Sequence, residues 1–260
     1  MKMTMLGSEF CQSPDFSRLE RLYIKIFGMP ILGMRIRAWR MIPIIKKYLK
    51  DSCRVLDIGS GRGVFTIEMG KCLPQAEVIG VDLNQAKVAT ANDLVKCLEL
   101  DNCCFEAKDI FDQNCADKFD CIVAIDVLEH IEDDLSIVKK IYELLNKSGK
   151  LIVHVPHKYR YLFGRKRINF DIEGHVRPGY LMDELEQLFI QANFKIIEKG
   201  YTYSSLETLA NDLSYLITEG REKRKVLYSL FFPFLLAVSI LGRRVKPRRG
   251  SGVYIVGERS

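Results

Sequence analysis

A strand that runs straight into three alternating glycines constrains this chain more than any other feature. Arg54-Val55-Leu56-Asp57-Ile58 has apolar or β-branched residues at Val55, Leu56 and Ile58, and Gly59, Gly61 and Gly63 follow at every second position. A helix-like run from Val64 to Cys72 comes next. Glycine lets the backbone take left-handed angles and lets a ligand approach closely. The start of a helix adds free N–H groups and a partial positive charge. The spacing is Gly-x-Gly-x-Gly, not the Gly-x-Gly-x-x-Gly of dinucleotide-binding turns, which argues against a nicotinamide dehydrogenase. Asp57 stands on the strand just ahead of the glycines.

The residues that follow repeat the pattern of a buried strand ending in an acid. Glu77–Asp82, Cys104–Asp109 and Phe119–Asp126 read as strands, and Asn84 is placed to cap a helix that reaches Cys97. A helix is expected over 133–145, a strand over 150–154, a helix over 181–192 and further strands over 194–203 and 253–258. Strands alternating with helices at this spacing predict an α/β fold, a doubly wound and mostly parallel seven-stranded sheet. Ligands of such sheets bind at the carboxyl ends of the strands, where Asp82, Asp109 and Asp126 all fall. The stretch His157 to Gly179 reads as a long irregular loop, basic and aromatic, of the kind that usually carries function.

Charge separates the ends of the chain from its middle. Residues 15–50 hold nine Lys/Arg against two acids, and 221–249 hold nine against one, while the remainder from 51 onward is acidic. Both basic segments are interleaved with apolar residues. The first, with Gly28, Pro30, Gly33 and Pro43 as punctuation, predicts two or three short amphipathic helices forming an N-terminal helical cap over 1–50. The second contains Val226 to Gly242, seventeen residues without a charge. That run is shorter than the ~20 residues of a membrane span, and Pro233 weakens it further as one. It is therefore read as a helical apolar insertion (204–249) before the last strand, lying on an anionic membrane surface or forming a lid or homodimer interface. The domain proper is expected over 51–203 and 250–260. Eight cysteines without a Cys-x-x-Cys pair predict reduced thiols, with Cys104 and Cys121 filling strand positions. Met1 to Phe10 lacks an apolar leader core, so the expected location is cytoplasmic, peripheral on the cytoplasmic membrane face.

Taken together, Val55-Leu56-Asp57-Ile58-Gly59-Ser60-Gly61-Arg62-Gly63, Gly80-Val81-Asp82, Ala107-Lys108-Asp109 and Asp126-Val127-Leu128-Glu129-His130-Ile131 resemble the class I S-adenosylmethionine-dependent methyltransferases, with their Rossmann-like fold. The last motif is similar to the branch that includes ubiquinone-pathway O-methyltransferases. Gly174-His175-Val176-Arg177-Pro178-Gly179-Tyr180 is more weakly similar to bacterial methyltransferases of cell-surface glycans and lipids. The resemblance implies S-adenosyl-L-methionine as cofactor. It implies that Asp57 faces the methionyl ammonium, that Gly59, Gly61 and Gly63 bed that portion, and that Asp82 accepts from the ribose hydroxyls. Asp109 and Ile110 would then serve the adenine, and Asp126 the space between methionyl group and acceptor.

Methyl transfer to a hydroxyl asks the protein for alignment and a base, and His130, His157 and His175 are the candidates. Asp126, Glu129 and His130 have a spacing that could chelate a divalent ion, as some relatives do. With Glu132, Asp133 and Asp134 beside them they read more simply as the acidic start of a helix, so no metal is expected. The expected acceptor is a small molecule, lipid or lipid-linked glycan. Nucleic acid is disfavoured because an apolar run splits the basic patch, although Tyr159, Tyr161 and Phe163 could stack bases. A soluble small-molecule or glycan O-methyltransferase, with the apolar insertion as lid or dimer interface, and a non-catalytic cofactor-binding module are the remaining alternatives.

Overall fold

The computed structural model describes residues 7–12, 16–49, 53–162, 165–168, 174–218 and 225–260. A 3-10 turn at Ser8–Gln12 is followed by helices α1 (Arg18–Phe27) and α2 (Leu32–Tyr48). Then come β1 (Arg54–Ile58), α3 (Val64–Cys72), β2 (Glu77–Asp82), α4 (Gln85–Cys97), β3 (Cys103–Ala107) and β4 (Phe119–Ile125). The next elements are α5 (Asp134–Leu144), β5 (Leu145–Pro156), β6 (Tyr159–Leu162), β7 (Arg165–Ile168), α6 (Met182–Gln191) and β8 (Phe194–Thr202). Helices α7 (Ser205–Thr218) and α8 (Lys225–Gly242) precede the final strand, β9 (Gly252–Arg259).

Two compact units result. One comprises Ile42–Tyr159, Ile168–Gly200 and Gly252–Ser260 and carries a seven-stranded sheet in the order β3-β2-β1-β4-β5-β9-β8. Its β1, β2, β3, β4 and β5 run parallel, and β9 is antiparallel to β5. Val55 to Ile58 and Cys121 to Ile125 are buried on both faces, as parallel strands covered by helices require. The strand order reverses between β1 and β4, and the crevice outside the strand ends at such a switch point is where these sheets bind ligands.

The other unit comprises Met1–Met41, Arg160–Arg167 and Tyr201–Ser251, so the two basic flanks share one body with a central segment. Its core joins Leu32, Ile36 and Trp39 of α2 to Ala210 of α7 and to Tyr228, Phe232, Leu235 and Leu236 of α8. Arg40 ties three elements together. Its guanidinium donates to the buried carboxylate of Glu207 at 2.5 Å and to the carbonyls of Gly242 and Val245. The Tyr23 hydroxyl donates to the Ser229 carbonyl at 2.7 Å, which sets α1 against α8.

Several expectations are corrected here. Gly33 and Pro43 do not break the second N-terminal helix: α2 runs through both. The apolar run is helical as expected: α8 runs through Pro233 as one helix, and no described helix is long and apolar enough to cross a membrane. The stretch expected to be irregular contains a two-stranded sheet, β6 with β7. Strand β3 stops at Ala107, because the Asp109 carboxylate turns back to cap the 3-10 turn Ile110–Asp112. Cys121 is buried as expected, whereas Cys104 sits on the outer face of an edge strand and is exposed; none of the eight cysteines is in a disulfide. Phe163, Glu173 and residues 219–224 lie outside the described residues.

Candidate active site

The glycine turn is built by close packing as much as by openness. Gly59, Gly61 and Gly63 all adopt positive φ, at 66°, 56° and 84°. A β-carbon on Gly59 would stand 2.6 Å from Cγ2 of Val127, and one on Gly63 would stand 2.4 Å from Cζ of Phe105. At Gly61 it would meet nothing within 4 Å. Gly61 is therefore the open cradle, while Gly63 is required by the Phe105 ring beneath it. Asp82 holds the turn in place: one carboxylate oxygen accepts from Gly61 N at 2.8 Å and the other from Asn84 N at 2.9 Å. Each oxygen keeps a lone pair for a further donor.

A cavity of about 570 Å³ opens at these strand ends. Gly59, Gly61, Asp82, Asp109, Ile110, Asp126 and His130 line it, with Leu83, Lys87, Lys108, Phe111 and Val127 among the other walls. Six of the eight residues expected to hold the cofactor are thus brought together. Asp57 and Gly63 are not on the wall. Asp57 lies buried under the turn and accepts a hydrogen bond from the Thr66 hydroxyl at 2.6 Å. Burial pushes its carboxyl up to about 7, against the pull of the Thr66 hydrogen bonds.

The three candidate histidines separate. The His130 and His175 rings meet edge-on, 4.5 Å between centroids. His157 is instead buried in a turn, with Nδ1 at 2.6 and 2.9 Å from the backbone O and N of Tyr159, and it does not line the cavity. Glu129 and His130 belong to a 3-10 turn, Leu128–His130, rather than to the start of α5. Polar contacts bind this turn and the residues just after it to the 174–180 loop. Val176 N donates to the Glu129 carbonyl at 2.9 Å, and Tyr180 Oη donates to that of Leu128 at 3.1 Å. Arg177 reaches the Ile131 and Glu132 carbonyls and the Asp134 carboxylate.

Asp126 faces a partner that sequence reasoning overlooked. His154, buried on β5 beside Ile125, donates from Nδ1 to Asp126 Oδ1 at 2.6 Å, and its carbonyl accepts from Asp126 N at 2.8 Å. The paired contacts hold Asp126 at φ 55°, a left-handed conformation unusual outside glycine. The signal was a lone histidine closing an apolar strand. The residues that cluster differ from the set considered above, with His175 in place of Asp126: one ligand atom each of Glu129, His130 and His175 lie within 4.8 Å of one another.

Comparison with known proteins identifies the family. Residues 49–207 match a family model described as a methyltransferase domain. The ubiquinone biosynthesis O-methyltransferase of Brucella ovis is 28% identical over 194 residues, covering 66% of this chain and 74% of that protein. Malonyl-[acyl-carrier protein] O-methyltransferase 1 of Ilyobacter polytropus is 28% identical over 169 residues, covering 64% and 62%. Three further curated relatives are spanned over only 33 to 40% of their length. Among solved structures, coclaurine N-methyltransferase bound to N-methylheliamine and SAH superposes with a TM-score of 0.55 at 18% identity, over 98% of this chain and 79% of that one, a likeness of fold. The open backbone at Gly61, the remaining acceptor capacity of Asp82 and the apolar wall at Ile110 fit S-adenosylmethionine, whose sulfonium supplies an activated methyl group when bound. The chain belongs to the class I S-adenosylmethionine-dependent methyltransferases.

Proposed function

We propose that this chain transfers a methyl group to a hydroxyl of a lipid, lipid-linked glycan or other small amphiphile at an anionic membrane surface. The observation that carries the chemistry is the one cavity that Gly61, Asp82, Asp109, Ile110 and His130 line together. Asp82 and Asp109 orient the donor through its ribose and adenine. Asp57, beneath the turn, supports the methionyl end, and Asp126, fixed by His154, borders the acceptor. Activation of the hydroxyl falls to the cluster of Glu129, His130 and His175. His157 is left with a structural part.

The membrane half of the reading is supported by α8 and α1. Val226, Leu230, Phe234 and Leu241 are well exposed on α8, as are Leu19, Leu22 and Ile26 on α1. Exposed Arg244, Lys246, Arg248 and Arg249 follow α8 directly. Apolar residues with adjacent cations suit an anionic interface, where each Lys or Arg contributes about 1 kcal/mol. The same exposed face favours a second reading, a soluble enzyme dimerising through α8. Sedimentation without lipid separates the two, because only the second predicts a stable dimer.

The test is incubation with methyl-labelled S-adenosylmethionine and a lysate split into lipid, glycan, RNA and protein fractions. Label is expected in the lipid fraction and lost with Asp82→Ala. Label confined to RNA or protein would overturn the acceptor class, and tight donor binding without any transfer would leave a cofactor-binding module.

A further inference from the structure

Asp82, Asp109 and Asp126 all line the strand-end cavity, but they are held in different ways. Asp82 and Asp109 accept from backbone N–H groups of the turns around them, those of Gly61, Asn84 and Phe111. Asp126 faces a side chain instead, with His154 Nδ1 at 2.6 Å from its Oδ1. The His154 side chain is only 1% exposed and that of Asp126 19%, so the pair joins the sheet interior to the cavity wall. A carboxyl group is ordinarily a stronger acid than an imidazolium, so the shared proton rests on nitrogen and the oxygen keeps its charge. Register sets this charge beside the glycine turn. Ile58 pairs with Ala124 across β1 and β4, so Gly59 and Asp126 leave the sheet at the same end. Val127, the next residue, covers Gly59, whose β-carbon would stand 2.6 Å from Val127 Cγ2.

We infer that His154 is a positioning residue for donor selectivity: by holding the Asp126 carboxylate at the cavity wall, it makes the site favour S-adenosylmethionine over its product. The donor carries a sulfonium cation, whereas S-adenosylhomocysteine carries a neutral thioether in nearly the same shape. A fixed anion attracts only the first, and the low dielectric of a protein cavity strengthens that attraction relative to water. Selectivity is a difference of two affinities. Groups that meet both ligands alike, as Asp82 does at the ribose, cancel from it. Asp126 does not cancel, and its direction depends on His154. The support is double, because the His154 carbonyl also accepts from Asp126 N at 2.8 Å and maintains the left-handed φ of 55°. Hydrogen bonds of this kind, from a residue that never touches the ligand, fix the group that does.

The inference needs only the donor that the family uses and is independent of the acceptor and the membrane surface proposed above. The experiment is calorimetric titration of the full-length protein with S-adenosylmethionine and, separately, S-adenosylhomocysteine, without acceptor. The quantity read is the ratio of the two dissociation constants. His154→Leu should shift that ratio toward the product at least about fivefold. Asp126→Asn, which keeps the shape and removes the charge, should shift it as far. His154→Asn returns an N–H donor close to the place of Nδ1 and should leave the ratio within about twofold of the parent chain. In an Asp126→Asn background, His154→Leu should shift the ratio no further, because the charge through which it acts is already gone. A merely structural role would weaken both ligands alike, and an unmoved ratio in His154→Leu overturns the inference. A parent-like ratio in Asp126→Asn overturns it as well, and that variant decides the matter even if the buried His154→Leu chain fails to fold. So does a ratio shifted as far by His154→Asn as by Asp126→Asn. Parent protein that binds neither ligand would overturn it together with the donor site. Absence of any methyl transfer would instead sink the proposed activity and leave these ratios standing.

Discussion

The strand-end cavity and the helical unit of α1, α2, α7 and α8 solve different problems with different materials. At the cavity, specificity comes from backbone: glycines at positive φ, main-chain N–H groups held by Asp82, and one aspartate in a left-handed conformation. In the helical unit it comes from side chains: a partly buried Arg40 paired with the buried Glu207, and a core of Leu32, Trp39 and Phe232. A backbone-built site tolerates little change in shape but depends weakly on any one contact energy. A side-chain-built body has single residues whose loss is expensive. The predictions that follow test that contrast.

The largest effect is expected at Glu207. Its carboxylate accepts from Arg40 and from Ser204 N at 2.7 Å, entirely out of solvent. Removing one member of a buried pair strands the other charge, at about 3–5 kcal/mol. Urea denaturation of Glu207→Ala should reveal a loss of that size, and a loss below 1 kcal/mol would mean that Arg40 finds solvent instead.

Asp57 comes next, and its effect depends on pH. Its carboxyl titrates near 7 in the folded chain and near 3.9 when unfolded. Between those values the folded state holds a proton that the unfolded state has released, so stability falls as pH rises. The cost is absent below about pH 4 and complete above about pH 7, on the order of a few kcal/mol. Asp57→Asn should flatten the slope of unfolding free energy across that window. An unchanged slope would assign it to other groups.

The glycines give the sharpest internal comparison. Gly63→Ala sets a methyl group against Phe105 in addition to imposing φ 84°, and should cost about 2–4 kcal/mol. Gly61→Ala meets no neighbour and should cost only about 1 kcal/mol, yet weaken S-adenosylhomocysteine binding more than tenfold. Calorimetry on both variants checks the reversal. Equal stability costs would mean that Phe105 moves aside.

This difference between shape and chemistry also governs what could be read from the sequence. Asp82 and Asp126 were legible because each follows a run of buried, largely β-branched residues, whereas Asp109 lies two residues beyond the end of β3. Gly63 was recognised as a glycine that mattered, but the reason was hidden: Phe105 lies 42 positions further along and reaches it only once β2 and β3 pair. His154 was missed because its partner Asp126 sits on the neighbouring strand. His175 was seen as one candidate base, yet its meeting with His130 depends on a loop geometry that no local pattern encodes. The apolar run was legible as a helix, and α8 continues through Pro233. Tertiary packing of Phe232, Leu235 and Leu236 outweighs the single lost backbone hydrogen bond.

The smallest stability effect, on the outer face of α8, separates a folding role from a surface role. Phe232 is fully buried and Phe234, two residues on, is 63% exposed. Phe232→Ala should cost about 3–5 kcal/mol, whereas Phe234→Ser should change stability by no more than about 0.5 kcal/mol. If the outer face meets an anionic bilayer, Phe234→Ser combined with Leu230→Ser should still release the protein from phosphatidylserine-containing vesicles in a flotation assay. High salt alone should release it only partly, since screening weakens the basic cluster and leaves apolar insertion intact. Flotation that is unchanged by the double substitution and abolished by salt would assign the attraction to Arg244, Lys246, Arg248 and Arg249. The apolar stripe would then be open to the dimer reading, which the same double variant tests by sedimentation.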